Sequence, residues 1–111
     1  MSETERIEKN VDYLKILCKC KSNMRKVILT NADKDLINTI CECVYNCLNG
    51  NIELNNEIKM KLKRHKKDLR NLVGRNKSLK IKKQILSQKG GAFLPLLLST
   101  VLGGLSSIFL K

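Results

Sequence analysis

The residues best suited to metal binding or nucleophilic chemistry in this chain are its five cysteines. They stand as two close pairs, Cys18 with Cys20 and Cys41 with Cys43, followed by Cys47. Structural zinc sites usually take cysteine pairs two to four residues apart on a turn, whereas side chains at positions i and i+2 of a helix point about 200° apart. Cys41 and Cys47 also fall on an apolar helical face, where a thiol serves as a small hydrophobic side chain. The spacing therefore favours buried thiols over a zinc site.

The sequence offers little else for catalysis. Its one histidine, His65, stands inside a lysine run, and no base with an orienting partner stands beside any cysteine. His65 shares a helical face with several leucines, so we expect its ring to pack there rather than to bind a ligand. We therefore predict a protein that is not an enzyme and that holds no cofactor or metal.

The positive charge is concentrated in one block of the chain. The whole protein carries 22 Lys+Arg against 10 Asp+Glu, a formal net charge of +12 over 111 residues. Residues 59–89 hold 13 of the basic residues and a single acidic one, Asp68, while residues 90–111 carry only Lys111. This distribution predicts a near-neutral head (1–50), a cationic middle segment (51–89) and an apolar tail (90–111).

Apolar residues recur through the middle segment with the spacing of an amphipathic helix. A helix capped by Asn55 or Asn56 would align one apolar seam, formed by Leu54, Ile58, Leu62, His65, Leu69 and Leu72.

Basic residues occupy an arc of the same helix about 100° away from the seam. After an interruption at Gly74, a second cationic helix is predicted from Leu79 to Gln88, capped by Ser78, with a short strand at Leu79 as the alternative. The predicted phosphate-binding residues of the two helices are Lys59, Lys63, Arg64, Lys66, Lys67, Arg70, Lys77, Lys80, Lys82 and Lys83.

A ridge of this kind can neutralise several phosphates and release their counterions. Lysine outnumbers arginine in the block and no Asn/Gln cluster lies on the ridge, so the pattern favours contacts with the phosphate backbone over base readout. With four aromatic residues in the chain, a stacking platform for single strands is not expected. We predict sequence-independent binding of nucleic acid through its phosphate backbone, with anionic lipid or a merely solvated face as the alternatives.

The head is predicted to form three short helices. The first would carry Ile7, Val11 and Leu14, the second would run from a cap at Ser22 or Asn23 through Met24, Val27 and Ile28, and the third would open at Asn31 or Asp33 and stop at Asn49-Gly50. The expected fold class is therefore all-α, a small helical bundle with a cationic amphipathic helix and a C-terminal apolar helix. The polar start, MSETERIEKN, is unlike a secretory signal, so secretion is not expected.

The tail begins at a predicted joint, Gly90-Gly91, and continues as an uncharged run of 19 residues, Ala92 to Leu110. As a helix this run would measure about 28 Å, close to the hydrocarbon thickness of a bilayer, and Pro95 would lie in its first turn. The alternatives are a membrane span, a membrane-disrupting segment, burial on the head, or a core shared by a homo-oligomer. The predicted membrane or oligomer contacts are Phe93, Leu94, Leu97, Ser99, Val101, Gly103, Ser107 and Phe109.

Three runs of the chain, LINTICECVYNCLNGNIEL, KLKRHKKDLRNLVGRNKSLKIKKQILSQKGG and FLPLLL, resemble small late proteins of Polinton/Maverick elements and adintoviruses. Those proteins have been likened to the adenovirus minor core protein X, the precursor of mu. The resemblance covers roughly residues 24–110. It implies a virion core protein that condenses double-stranded DNA, located in the virion core or host nucleus, with capsid proteins among its partners.

The same resemblance implies that a maturation protease cuts at a Gly-Gly site, here Gly90-Gly91. The family pattern prefers Met, Ile or Leu two residues before the glycines, where this chain has Gln88. The competing prediction for the whole chain is a membrane-active or tail-anchored protein on an intracellular membrane, whose basic helix binds anionic lipid.

Overall fold

Capping side chains set the starts of three helices. The Asp33 carboxylate accepts a hydrogen bond from the Leu36 backbone N–H at 2.8 Å, the Asn55 side chain accepts one from Ile58 at 2.8 Å, and the Ser78 hydroxyl accepts one from Ile81 at 3.3 Å. Each cap satisfies a backbone donor that has no partner within its helix.

The computed structural model describes residues 3–50, 53–74 and 76–109, with the backbone alone for residues 3, 4, 6, 7 and 104–109. Within these ranges every regular element is a helix and no strand is present, which confirms the all-α fold class. The six helices are α1 (Glu3–Lys19), α2 (Ser22–Thr30), α3 (Lys34–Leu48), α4 (Asn56–Lys63), α5 (Lys66–Val73) and α6 (Leu79–Phe109).

Helix α6 is the centre of the bundle and contacts the other five helices. Its apolar residues join one continuous core with residues of the head and of α4 and α5. The fully buried members that α6 contributes are Leu86, Phe93, Leu94, Leu97, Leu98 and Val101. Of the alternatives for the tail, this arrangement is burial on the head.

A buried polar network fixes α1 against α3. The Asn10 amide donates to the Thr39 hydroxyl at 3.0 Å and to the Asp35 carboxylate at 3.2 Å, and Lys9 pairs with the same carboxylate at 3.2 Å. Thr39 is fully buried and donates to its own helix at the Asp35 carbonyl. Because each buried polar group needs its partner, this network selects one register for the two helices.

Helix α2 lies where it is predicted but leaves two of its apolar residues largely exposed. Met24 and Val27 are more than half exposed, while Arg25 and Leu29 are buried. The Arg25 guanidinium donates to the Leu17 and Cys20 carbonyls at 2.8 Å each, so it satisfies carbonyl groups at the C-terminal end of α1. A cation at that end is also favoured by the helix dipole.

The prediction of a single helix over the cationic seam is wrong, because one helix ends at Lys63 and the next begins at Lys66. His65 has φ −109° and ψ 19°, and its backbone N–H bonds to the Leu62 carbonyl at 2.9 Å. The break separates a helix that contacts α6 from one that contacts both α3 and α6. Leu62 before the break and Leu69 after it are both buried, so the continuous apolar periodicity serves two packed helices instead of one.

The predicted joint at Gly90-Gly91 is also wrong, since both residues lie inside α6. Pro95 consequently stands in the helix interior instead of in a first turn. Gly90 is buried where a Cβ atom would lie 2.9 Å from Leu94 Cδ1 and 3.8 Å from Leu29 Cδ1. The missing side chain leaves room for Leu94, one turn further along α6, and burial of the apolar residues beyond it offsets the helix-weakening glycines.

The two glycines offer a matched test of a continuous α6. At Gly91 a Cβ atom meets Arg25 Nη1 at an ordinary 3.8 Å, so Gly91→Ala should raise the free energy of unfolding by about 0.4–1 kcal/mol. At Gly90 the same gain is opposed by overpacking against Leu94, so Gly90→Ala should be less stable than Gly91→Ala by about 1 kcal/mol or more. Urea denaturation followed by circular dichroism measures both. Equal values for the two variants would contradict the close packing at Gly90.

Candidate polyanion-binding surface

Helices α4 and α5 are anchored by the apolar residues that they bury, and they carry the predicted cations among their exposed residues. Leu62, Leu69 and Leu72 are buried, with His65 and Ile58 half-buried beside them. Six basic residues of the same segment are exposed, namely Lys59, Lys63, Arg64, Lys66, Lys67 and Arg70. We call these six residues the cationic ridge.

Among the described residues, no acidic side chain forms an ion pair with a residue of the cationic ridge. Nearby carboxylates engage other lysines: Glu57 pairs with Lys61 at 3.1 Å, and Asp68 pairs with Lys89 at 3.4 Å. No ridge residue makes an ion pair or hydrogen bond with a described side chain. The ridge therefore presents positive charge that only solvent counterions or a bound anion can balance.

The predicted extension of the ridge into α6 is partly exposed. Lys77 and Lys80 are exposed, but Lys82 and Lys83 are half-buried where α6 begins to pack on the bundle. Lys82 lies close enough to Cys41 to favour the thiolate electrostatically. The helical pattern predicts that Lys82 and Lys83 are exposed together with Lys80, and for these two residues the prediction is wrong.

Four of the eight predicted membrane or oligomer contacts lie in the core. Phe93, Leu94, Leu97 and Val101 are buried, because the same apolar pattern that suits lipid also suits the interior of a bundle. Ser99 is exposed, and its hydroxyl donates to the Leu96 carbonyl at 3.1 Å; Gly103 is exposed as well. The side chains of Ser107 and Phe109 lie outside the described residues.

One stretch of the described residues, Leu79–Gly103, is long and apolar enough to cross a membrane by length and composition. The central helix of a soluble bundle meets the same criteria, and this stretch is partly buried in that way. The criterion therefore decides nothing about a membrane location.

His65 connects the ridge to the core. Its ring lies 5.6 Å from the Phe93 ring, centroid to centroid, at an interplanar angle of 48°. This tilted contact is in the range preferred by aromatic pairs. The expected packing role of His65 is confirmed, although the residue lies at a helix break and not within a helix.

The cysteines are placed as small core residues. Cys41, Cys43 and Cys47 are buried in α3, and Cys18 and Cys20 are half-buried near the end of α1. Burial raises the pKa of Cys41 from 9.0 to about 11, against a smaller lowering by Lys82, and burial alone raises the pKa of Cys47 to about 11. Neither thiol is activated as a nucleophile. No three His, Cys, Asp or Glu side chains in the described ranges lie close enough together to hold a metal ion.

The sequence pattern missed a pocket of about 360 Å³ beside the ridge. Lys59, Lys63 and Lys66 line it together with apolar residues of α3, α6 and the segment before α4. No local signal marks this pocket, because its walls are distant in sequence and meet only in the folded bundle.

No protein-family model, curated protein or solved structure matches this chain. Its function is therefore argued from the surface just described.

The raised pKa values predict slow alkylation of the α3 thiols. A pKa two units higher leaves about a hundredfold less thiolate at pH 8, and the thiolate is the reacting species. Cys41 and Cys47 should therefore react with iodoacetamide about a hundredfold more slowly in the folded protein than in urea, and their reaction should accelerate as pH rises toward 11. Peptide mapping by mass spectrometry resolves each site, with half-buried Cys20 as the internal comparison. Equal rates at Cys41 with and without urea would contradict its burial.

Proposed function

We propose that this protein binds double-stranded DNA through the phosphate backbone, without sequence preference and without catalysis. The observation that carries the proposal is the cationic ridge, whose six exposed cations have no ion-pair partner among the described residues. A protein that leaves so much like charge unbalanced gains free energy when a polyanion replaces its counterions.

The helical scaffold supports contact with several phosphates at once. Lys59 and Lys63 are four residues apart and so lie about one turn apart on α4, and Lys66 follows at the start of α5, beyond the break at His65. The ridge is built on helices whose leucines are anchored in the core, so its cations need little ordering on binding. Five or six simultaneous phosphate contacts would give an affinity dominated by counterion release.

The composition of the ridge favours packaging over recognition. Four of its six members are lysines, which act as point charges, and no Asn or Gln lies among them to read base edges. A role as a condensing core protein, of the kind that the resemblance to Polinton and adintovirus late proteins implies, would use this surface in a virion core or host nucleus.

A membrane or capsid contact through the tail would need a change of structure. Phe93, Leu94, Leu97 and Val101 are part of the core that holds the bundle together. Their insertion into a bilayer would remove α6 from the head and expose the apolar faces of α1 and α3. The folded bundle therefore favours the DNA-binding proposal over the membrane-active one.

DNA binding should weaken steeply with salt and depend on the ridge. For about five phosphate contacts, affinity should fall several hundredfold between 50 and 200 mM salt. The double variant Lys67→Ala/Arg70→Ala should reduce the slope of log K against log salt by about 2, because each lost contact contributes about 0.9. Fluorescence anisotropy with two duplexes of unrelated sequence measures the slope and should give the same value for both.

The matched control is Lys15→Ala/Lys19→Ala, which removes two exposed cations of α1 and the same net charge. This control should leave the slope within about 0.5 of the parent value. A salt-independent affinity, or an equal loss in both double variants, would refute the ridge as the binding surface. Flotation with anionic vesicles of the same proteins should give little recovery of folded chain, and strong flotation that tracks the ridge would favour the lipid alternative.

A further inference from the structure

The pocket beside the cationic ridge lies where α3, α4, α5 and α6 meet. Its volume of about 360 Å³ falls within the range of about 300–1,000 Å³ that is typical of small-molecule sites. The residues that line it come from five separate parts of the chain, including the turn after α3 at Gly50.

The interior of the pocket is apolar. Leu62, Leu69 and Leu97 line it as parts of the core, and Leu48 and Leu54 line it as exposed and half-buried residues respectively. Leu48 keeps 41 % of its surface exposed. When an apolar ligand covers such a surface and removes it from water, the free energy of the complex is lowered.

Three cations share this lining. Lys59, Lys63 and Lys66 line the pocket while remaining exposed, and none has an ion-pair partner among the described residues. Lysine stems pack on apolar surface while their ammonium groups stay in water. The pocket thus combines an apolar interior with an uncompensated positive charge of three lysines at its solvent side.

We propose that this pocket binds one anionic amphiphile, a molecule with a single alkyl or acyl chain and a carboxylate or phosphate head. The chain would cover Leu48, Leu54 and the buried leucines, and the head would lie among Lys59, Lys63 and Lys66. A nucleic acid can balance the lysines but has no alkyl chain to fill the apolar interior, so the pocket has a separate ligand. This inference stands independently of DNA binding.

Isothermal titration calorimetry of the full chain tests the site with four probes, each kept below its micelle concentration. Dodecanoate represents a free fatty acid and lauroyl lysophosphatidic acid represents a lipid phosphate. Dodecyl maltoside supplies the same chain with an uncharged head, and inorganic phosphate supplies the head alone. One or both anionic amphiphiles should saturate at one per chain, and the better one identifies the source. Dodecyl maltoside and inorganic phosphate should each bind at least about tenfold more weakly than the better anionic amphiphile, because each lacks one half of the interaction.

Two pairs of exposed positions supply matched variants. Lys63→Ala should weaken binding of the better amphiphile about tenfold, whereas Lys67→Ala, on the ridge but outside the pocket lining, should change it less than about twofold. Leu48→Ser should weaken binding about threefold, whereas Met60→Ser, at an apolar residue 69 % exposed and outside the lining, should change it little. All four residues are exposed, so each variant should keep the parent melting temperature.

Two results would overturn the proposal. One is a titration that does not saturate at one amphiphile per chain, or in which dodecyl maltoside binds as tightly as the anionic probes. The other is an equal loss of affinity in Lys63→Ala and Lys67→Ala, which would reduce the effect to general surface charge. Because no nucleic acid is used, these results are independent of whether the ridge binds DNA.

Discussion

Burial of the apolar face of α6 is the interaction on which the rest of this structure depends. Leu94, Leu97 and Leu98 are fully buried in a core that includes residues of α1, α2 and α3, and α4 and α5 pack on the same helix. The three head helices have 17, 9 and 15 residues, and helices of such lengths gain most of their stability from the packing of their apolar faces. A helix that begins cationic and continues as an uncharged apolar run therefore acts as the central element of a small helical bundle.

The position of α6 also organises the charge. Leu62, Leu69 and Leu72 are buried in the core and anchor α4 and α5, and the basic residues of these two short helices remain exposed. Such a concentration of like charge destabilises a compact state through self-repulsion, and the carboxylates of Glu57 and Asp68 compensate only Lys61 and Lys89 among the described residues. The unbalanced ridge and the apolar pocket beside it are consequences of the same packing. The proposed DNA contact and the proposed amphiphile site therefore both depend on the position of α6.

The sequence correctly predicted the features that depend only on residues close together in the chain. The cap at Asp33, the stop at Asn49-Gly50, where Gly50 has φ 74°, and the burial of Cys41 and Cys47 follow from the pattern around each residue. The break at His65 and the burial of Gly90 could not be read in this way. The first depends on the packing of α4 against α6 and of α5 against both α3 and α6, and the second on the space that the Leu94 and Leu29 side chains take up around Gly90. Arg25 was missed for a related reason, since its guanidinium satisfies carbonyls of a helix that precedes its own.

The sequence by itself determined the helical class, the cationic block at residues 59–89 and the apolar character of the run that follows, because periodicity and composition fix these before any long-range contact forms. Tertiary structure alone decided where the apolar run goes. A run of leucines is equally suited to lipid and to a protein core, and the faces of α1, α2 and α3 provide the protein core. The same decision created the pocket, since Leu48, Leu62 and Leu97 become neighbours only when α6 lies at the centre of the bundle.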